Sequence, residues 1–221
     1  GSADRVALVG ANGVGKTSVL RIVVGEQAST AGTVSVNGRL GVMHQFVGMG
    51  DGRDGAPDTV RSLLVSIAPE RIRAAADRVA RAEMQLADDP MRYANALAAW
   101  GDVGGYEIEV TWDEVCGRTL GCDFRDVADR PLRTLSGGEQ KRLALEYLLR
   151  GEHDVLVLDE PDNVLDVPAK RWLERELHAT HKSILFVSHD RELLAASATK
   201  IVTIEASGAW THGGGFATYA E

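Results

Sequence analysis

The chain has 221 residues, 44% of them hydrophobic and 25% charged, and a formal net charge of -8. This is the make-up of one medium domain, or of one domain carrying an inserted subdomain, and it excludes disorder or low complexity as a description of the whole. No apolar run reaches the ~20 residues of a membrane span, and the acidic balance argues against this piece alone as a strong nucleic-acid binder. Cys116 and Cys122 do not make a disulfide scaffold and fit a reducing, cytoplasmic setting. Gly1-Ser2, without a Met, reads as a cloning scar before a strand that begins at once, and the chain as a fragment.

Arg5 to Val9 is a short apolar run ending in Gly10, a buried strand. A glycine-rich loop follows, then a helical pattern from Thr17 to Val24 with Val19, Leu20, Val23 and Val24 as its apolar set. Gly32 to Gly38 alternates and closes on Asn37-Gly38, a hairpin signal. Residues 48–57 read as a loop. From Thr59 to about Gly121, Ala, Arg, Leu and Glu dominate, and Pro69, Pro90 and Gly101 punctuate three or four helices. After Arg130-Pro131, the runs Val155–Leu158, Ile184–Val187 and Ile201–Ile204 alternate with helical segments. Strands alternating with helices predict a mostly parallel sheet in an α/β layer fold. The expected core is 1–58 with 122–221, including a small β part, and 59–121 is an inserted helical subdomain.

Residues 10–17 read GANGVGKT, a full match to the phosphate-loop pattern G-x-x-x-x-G-K-[ST]. Glycines let backbone N–H groups curl around phosphate oxygens, and the helix that follows begins at the anion. Gly10, Asn12, Gly13, Gly15, Lys16, Thr17 and Ser18 are therefore the candidate nucleotide-binding residues, for ATP or GTP. Lys16 supplies a point charge for the β- and γ-phosphates, and the Thr17 hydroxyl a ligand for Mg²⁺.

Val155 to Leu158 ends in Asp159-Glu160. Asp159 fits a Mg²⁺-organising acid and Glu160 the base that orients the attacking water. Adjacent residues on a strand point to opposite sides, so the two acids can serve different positions. The plain alternative is a strand end followed by an acidic turn. Leu135-Ser136-Gly137-Gly138-Glu139-Gln140 opens another helix, Glu139 to Leu149. Ser136 and the glycine N–H groups there make a second anion site, or Ser136 is simply an N-cap.

Together these motifs resemble the ATP-binding cassette (ABC) ATPases, a P-loop NTPase family, over nearly the whole chain. LSGGEQ is similar to that family's signature, Gln45 in GVMHQF to its Q-loop glutamine, Asn163 to Asp166 to its D-loop, and His189 in Ser188-His189-Asp190 to its switch histidine. The resemblance implies ATP and Mg²⁺ as substrate and cofactor. Gln45 would join Thr17 and Asp159 at the metal, and His189 would touch the γ-phosphate beside Glu160. Ser136, Gly137, Gly138 and Gln140 would contact an ATP held by a second cassette packed head to tail. A lone cassette, as a monomer or weak dimer, would turn ATP over slowly.

Gly104-Gly105-Tyr106-Glu107-Ile108-Glu109, Leu120 to Phe124, and the ending from His212 to Glu221 resemble the first cassette of ABC-F proteins. These are soluble twin-cassette ATPases that act on ribosomes in translation or antibiotic resistance and have no membrane domain. The other reading is the motor cassette of a membrane transporter; a cassette that binds without hydrolysing disagrees with the presence of Glu160 and His189. The family's usual Thr and His are replaced here by Asp162 and Val164, which bears on metal handling and turnover rather than on phosphate binding. The adenine-stacking aromatic and the inter-cassette linker that the resemblance implies lie outside this sequence. Arg71, Arg78 and Arg81 read as a solvated helix face, His178 and His181 as a helix-end contact, and Trp100, Trp112 and both cysteines as packing residues.

Overall fold

The computed structural model describes residues 3–45, 58–213 and 215–219; the predicted loop at 48–57 and parts of both predicted ends, Gly214, Ala220 and Glu221 included, lie outside them. The chain runs β1 (Arg5–Val9), α1 (Lys16–Val24), β2 (Leu40–Met43), α2 (Val60–Ser66), α3 (Glu70–Glu83), α4 (Pro90–Asp102), α5 (Gly105–Leu120) and α6 (Phe124–Val127). It continues α7 (Gly137–Arg150), β3 (Val155–Asp159), α8 (Val167–Ala179), β4 (Ser183–Val187), α9 (Arg191–Ser197), β5 (Lys200–Glu205), β6 (Gly208–His212) and α10 (Phe216–Tyr219). Two compact units result: Gly1–Val47 with Leu148–Glu221, and Gly48–Tyr147.

The first unit holds one sheet in the order β2-β3-β4-β1-β5-β6. Its pairings are parallel except the last, β5 with β6. Parallel neighbours cannot be joined by a tight turn, so helices carry the chain back each time. This explains why α1 follows β1, α8 separates β3 from β4, and α9 separates β4 from β5. The strands are near-continuous apolar runs because helices cover them. Leu8 of β1, Leu20 of α1, Val157 of β3 and Val187 of β4 form one buried cluster, with Val19, Val23 and Val24 packed on it. The apolar stripe read from the sequence of α1 is thus the face laid on the sheet.

The hairpin expected at residues 32–38 is not there: among the described residues this stretch forms no strand and is almost entirely exposed. Alternation specifies two faces but not a partner, and none of the described strands pairs with this stretch. The Asn37-Gly38 turn survives for another reason. Gly38 has φ +112, and a Cβ there would stand 2.7 Å from Asp154 Cβ, so only glycine lets the chain enter β2 beside the start of β3.

Buried His153, just before β3, makes this unit pH-sensitive. Burial, then the charge of Lys182, pushes its imidazole down from 6.5 to about 4, against a backbone hydrogen bond with Leu148 that works the other way. Between those two values the unfolded chain takes up a proton that the folded chain refuses, so stability falls as pH falls through that window. At about 1.4 kcal/mol per unit the loss reaches a few kcal/mol near the bottom of the window. Urea midpoints taken from neutral to mildly acid pH should drop, and H153Q should flatten the slope. Identical slopes in the two chains would remove His153 from the account.

The second unit is helical, and the four helices α2 to α5 match the expected punctuation. Thr59 caps α2 in a reciprocal box with Ser62, and Asp89 caps α4 ahead of Pro90. Trp112 of α5 is fully buried, its ring centroid 6.2 Å from Trp100, 5.1 Å from Phe124 and 6.5 Å from Tyr147. Both tryptophans are core, as their setting suggested. Cys116 is buried and its thiol pushed up to about 12, chiefly by burial, so it is inert at neutral pH. Arg71, Arg78 and Arg81 lie exposed on α3. Among the described residues no helix is long and apolar enough to cross a membrane.

Candidate functional site

Because β1 to β4 are parallel, the segments that follow them leave the sheet at the same edge, where open α/β sheets present their ligand sites. Those segments are the glycine loop after β1, Gln45 after β2, Asp159-Glu160 at the end of β3, and Ser188-His189 after β4. A cleft of about 430 Å³ opens there, lined by Asn12, Gly13, Gly15, Lys16, Thr17, Ser18, Gln45, Glu160, Val187 and His189.

The loop is shaped by its glycines. Gly13 and Gly15 have φ of +78 and +109, and nothing lies within 4 Å of where a Cβ would stand on either, so bare backbone faces the cleft. Gly15 is the N-cap of α1 and supplies no side-chain acceptor, which leaves the first N–H groups of the helix for a ligand. Lys16 is buried, and its ammonium donates to the carbonyls of Gly10 at 2.9 Å and Ala11 at 3.0 Å, spanning the loop it belongs to. Amide donors, a helix start and one ammonium form a donor set fitted to phosphate.

The two acids diverge, Asp159 closing β3 and Glu160 lying just beyond it. The Thr17 hydroxyl donates to buried Asp159 Oδ2 at 3.1 Å. A hydroxyl and a carboxylate this close are hard oxygen donors of the kind Mg²⁺ takes. Glu160 leaves the strand with φ +49, a left-handed value uncommon for a residue with a side chain, while its N–H donates to Val187 O at 2.9 Å. Its carboxylate accepts from Gln45 Nε2 at 2.7 Å on one oxygen, and His189 Nε2 stands 3.7 Å from the other.

In the helical unit the signature segment is a capping box. Glu139 N–H donates to Ser136 Oγ at 3.2 Å, and Ser136 N–H to Glu139 Oε2 at 2.7 Å. Ser136 is therefore the cap and Gly137 the first helical residue, two positions before the start read from the sequence; the pattern S-x-x-E held that information. The Ser136 hydroxyl, which donates to the same Oε2 at 2.7 Å, and then the Ser136 N–H hold the Glu139 carboxyl below its usual range. Buried Gln140 donates Nε2 to the carbonyls of Leu132 at 2.9 Å and Leu135 at 3.1 Å, so it anchors the turn before Ser136.

The family model described as "ABC transporter" matches residues 2–163. The chain belongs to this family. Along 99% of its length this ABC cassette is 51% identical to an "Antibiotic resistance protein" of Mycobacteroides abscessus, covering 41% of that protein. It is 32% identical to the "Energy-dependent translational throttle protein EttA" of Mycobacterium tuberculosis, over 98% of the cassette and 38% of the relative. It is also 32% identical to "ATP-binding cassette sub-family F member 3" of Mus musculus, over 97% and 29%. The ABC-F resemblance read from its motifs agrees with these relatives, and the cassette spans about two fifths of the first one's length. A solved metal-chelate type ABC transporter in an inward-facing conformation shares the fold, with TM-score 0.59 and 15% identity over 96% of the cassette and 73% of that chain.

Sequence reasoning missed one group beside the cleft. Lys170 of α8 reaches Asp190 Oδ2 at 2.8 Å, directly after His189 in the chain. A lysine in mid-helix carries no motif, and only the packing of α8 beside α9 brings it there.

Proposed function

We propose that this chain is the first ATP-hydrolysing cassette of a cytoplasmic, twin-cassette ABC-F factor that works on the ribosome, in translation or in protection against antibiotics. One observation supports this best: Glu160 stands between Gln45 and His189 across the cleft from the phosphate loop. In this reading the loop amides and Lys16 bind the triphosphate, with Asn12 and Ser18 flanking it. Thr17 and Asp159, with Gln45, would hold Mg²⁺, which neutralises charge on the phosphate oxygens. Glu160 orients and deprotonates the attacking water, and His189 holds the γ-phosphate.

Ser136, Gly137 and Gly138 serve the ATP of the second cassette, while buried Gln140, expected among them, instead holds the turn that presents them, so two ATPs close the pair and hydrolysis releases it. The names of the relatives from Mycobacteroides abscessus and Mycobacterium tuberculosis support the ribosomal setting. The test pellets ribosomes with the full-length protein carrying E160Q. ATP should raise the recovered fraction, because the closed state can no longer hydrolyse its way open. Equal recovery with and without ATP sinks the ribosomal role, and co-purification with a membrane subunit would instead favour the transporter reading.

A further inference from the structure

We propose that Lys170 is a positioning residue for ATP hydrolysis: its ammonium ties α8, which begins where the turn carrying Glu160 ends, to the segment that carries His189. This rests on the reading of Glu160 as the base and adds the device that sets its distance from His189.

Glu160 and His189 both lie beyond the strands. The β3–β4 register ends at Asp159 and Val187, and the bond from Glu160 N–H to Val187 O at 2.9 Å is, among the described residues, the last across it before His189. His189 Nε2 is 3.7 Å from Glu160 Oε1, too far for a hydrogen bond, and the His189 side chain is 53% exposed. That contact is too loose to fix either partner, so the placement of His189 has to come from its neighbours.

The next residue, Asp190, is fixed on every side. Its Oδ1 accepts from the N–H groups of Glu192 at 2.9 Å and Leu193 at 3.3 Å, which caps α9, and its own N–H donates to buried Ser188 Oγ at 2.9 Å. Its other oxygen accepts from Lys170 Nζ at 2.8 Å. Asp162 lies two residues past Glu160, in the turn that leads into α8. It is 8% exposed, and its Oδ1 has no hydrogen-bond partner among the described residues. Lys170 stands in the field of Asp162 as well as that of Asp190, with Glu192 adding to it.

One ammonium therefore holds α8 to the segment that carries His189. Without it Asp190 keeps only the α9 cap and Ser188, and the segment loses its tie to α8. Lys170 is absent from the cleft lining, so it acts on the reaction only through Glu160 and His189. Reaction rates are steep in such placements, since a 1 Å error costs on the order of 100-fold; a displacement of a few tenths of an ångström gives about tenfold.

The experiment measures ATP turnover against ATP concentration in the full-length polypeptide for K170M, K170R, D190N and E160Q. K170M should lower kcat about tenfold with KM for ATP within about twofold, and K170R should recover at least half of the loss. D190N keeps the α9 cap, because Asn caps as well as Asp, but loses the charge. It should match K170M, and the double variant should fall no further than either single. Unchanged kcat in K170M, or kcat and nucleotide affinity falling together, overturns the proposal. If K170M does not fold, D190N with a normal melting temperature and unchanged kcat overturns it equally. E160Q separates the two levels: normal turnover there removes the base assignment and this proposal with it, whereas an inactive E160Q beside a normal K170M removes the Lys170 proposal alone.

Discussion

E160Q should lower ATP turnover by about 100-fold or more while nucleotide binding stays within about threefold. The carboxamide keeps the size of the side chain and can still accept from Gln45 Nε2, now 2.7 Å from Glu160 Oε2, so the cleft holds its shape. What disappears is an anion able to take a proton from water. K16A should give the opposite pattern, because Lys16 is the one ammonium among the described residues that line the cleft, at the loop fitted to phosphate. There binding fails first and turnover falls with it. Phosphate release together with fluorescent-nucleotide titration measures both quantities. If E160Q retains most of its turnover, or loses binding as K16A does, Glu160 is not the base.

The largest effect on folding is expected from G10A. A Cβ at residue 10 would stand 2.4 Å from the carbonyl oxygen of Ile204 in β5 and 3.0 Å from Val14 Cγ1. Val9, just before it, pairs with Thr203, so the obstacle is backbone held in the sheet and cannot swing aside. Overpacking and an unfavourable dihedral together cost about 3 kcal/mol or more, which lowers the melting temperature by roughly 6–12 °C in a chain of this size. G13A is the matched comparison: its φ is also positive at +78, but nothing lies within 4 Å of the new carbon, so only about 1 kcal/mol is at stake. Urea unfolding of both variants checks the contrast, and equal losses would show that dihedral strain, not the approach of β5, governs residue 10.

The cleft was legible in the sequence because each of its parts is a short pattern with a fixed physical purpose. GANGVGKT can only be a tight turn into a helix, and a strand of four aliphatic residues ending in Asp159-Glu160 can carry its acids only at a sheet edge. Parallel topology then brings Gln45, Glu160 and His189 to that edge without further information. The alternating stretch at 32–38 failed for the converse reason, since its pattern describes faces while a strand is made by a partner. The start of α7 lies two residues earlier than its apolar pattern suggests because the Ser136–Glu139 capping bond admits both glycines to the first turn. Lys170 stayed invisible because its bond to Asp190 exists only where α8 packs beside α9.

The left-handed backbone at Glu160 decides how this position can vary. A library of substitutions there would be sorted by main-chain geometry before it is sorted by chemistry. Asn, Asp and Gly enter that basin readily, whereas Val and Ile would have to untwist the end of β3 to be accommodated. Inactivity in the branched variants would report a displaced carbonyl ladder, and inactivity in Asn or Gln the missing anion. A saturation screen that pools them would blend two unrelated causes into one phenotype.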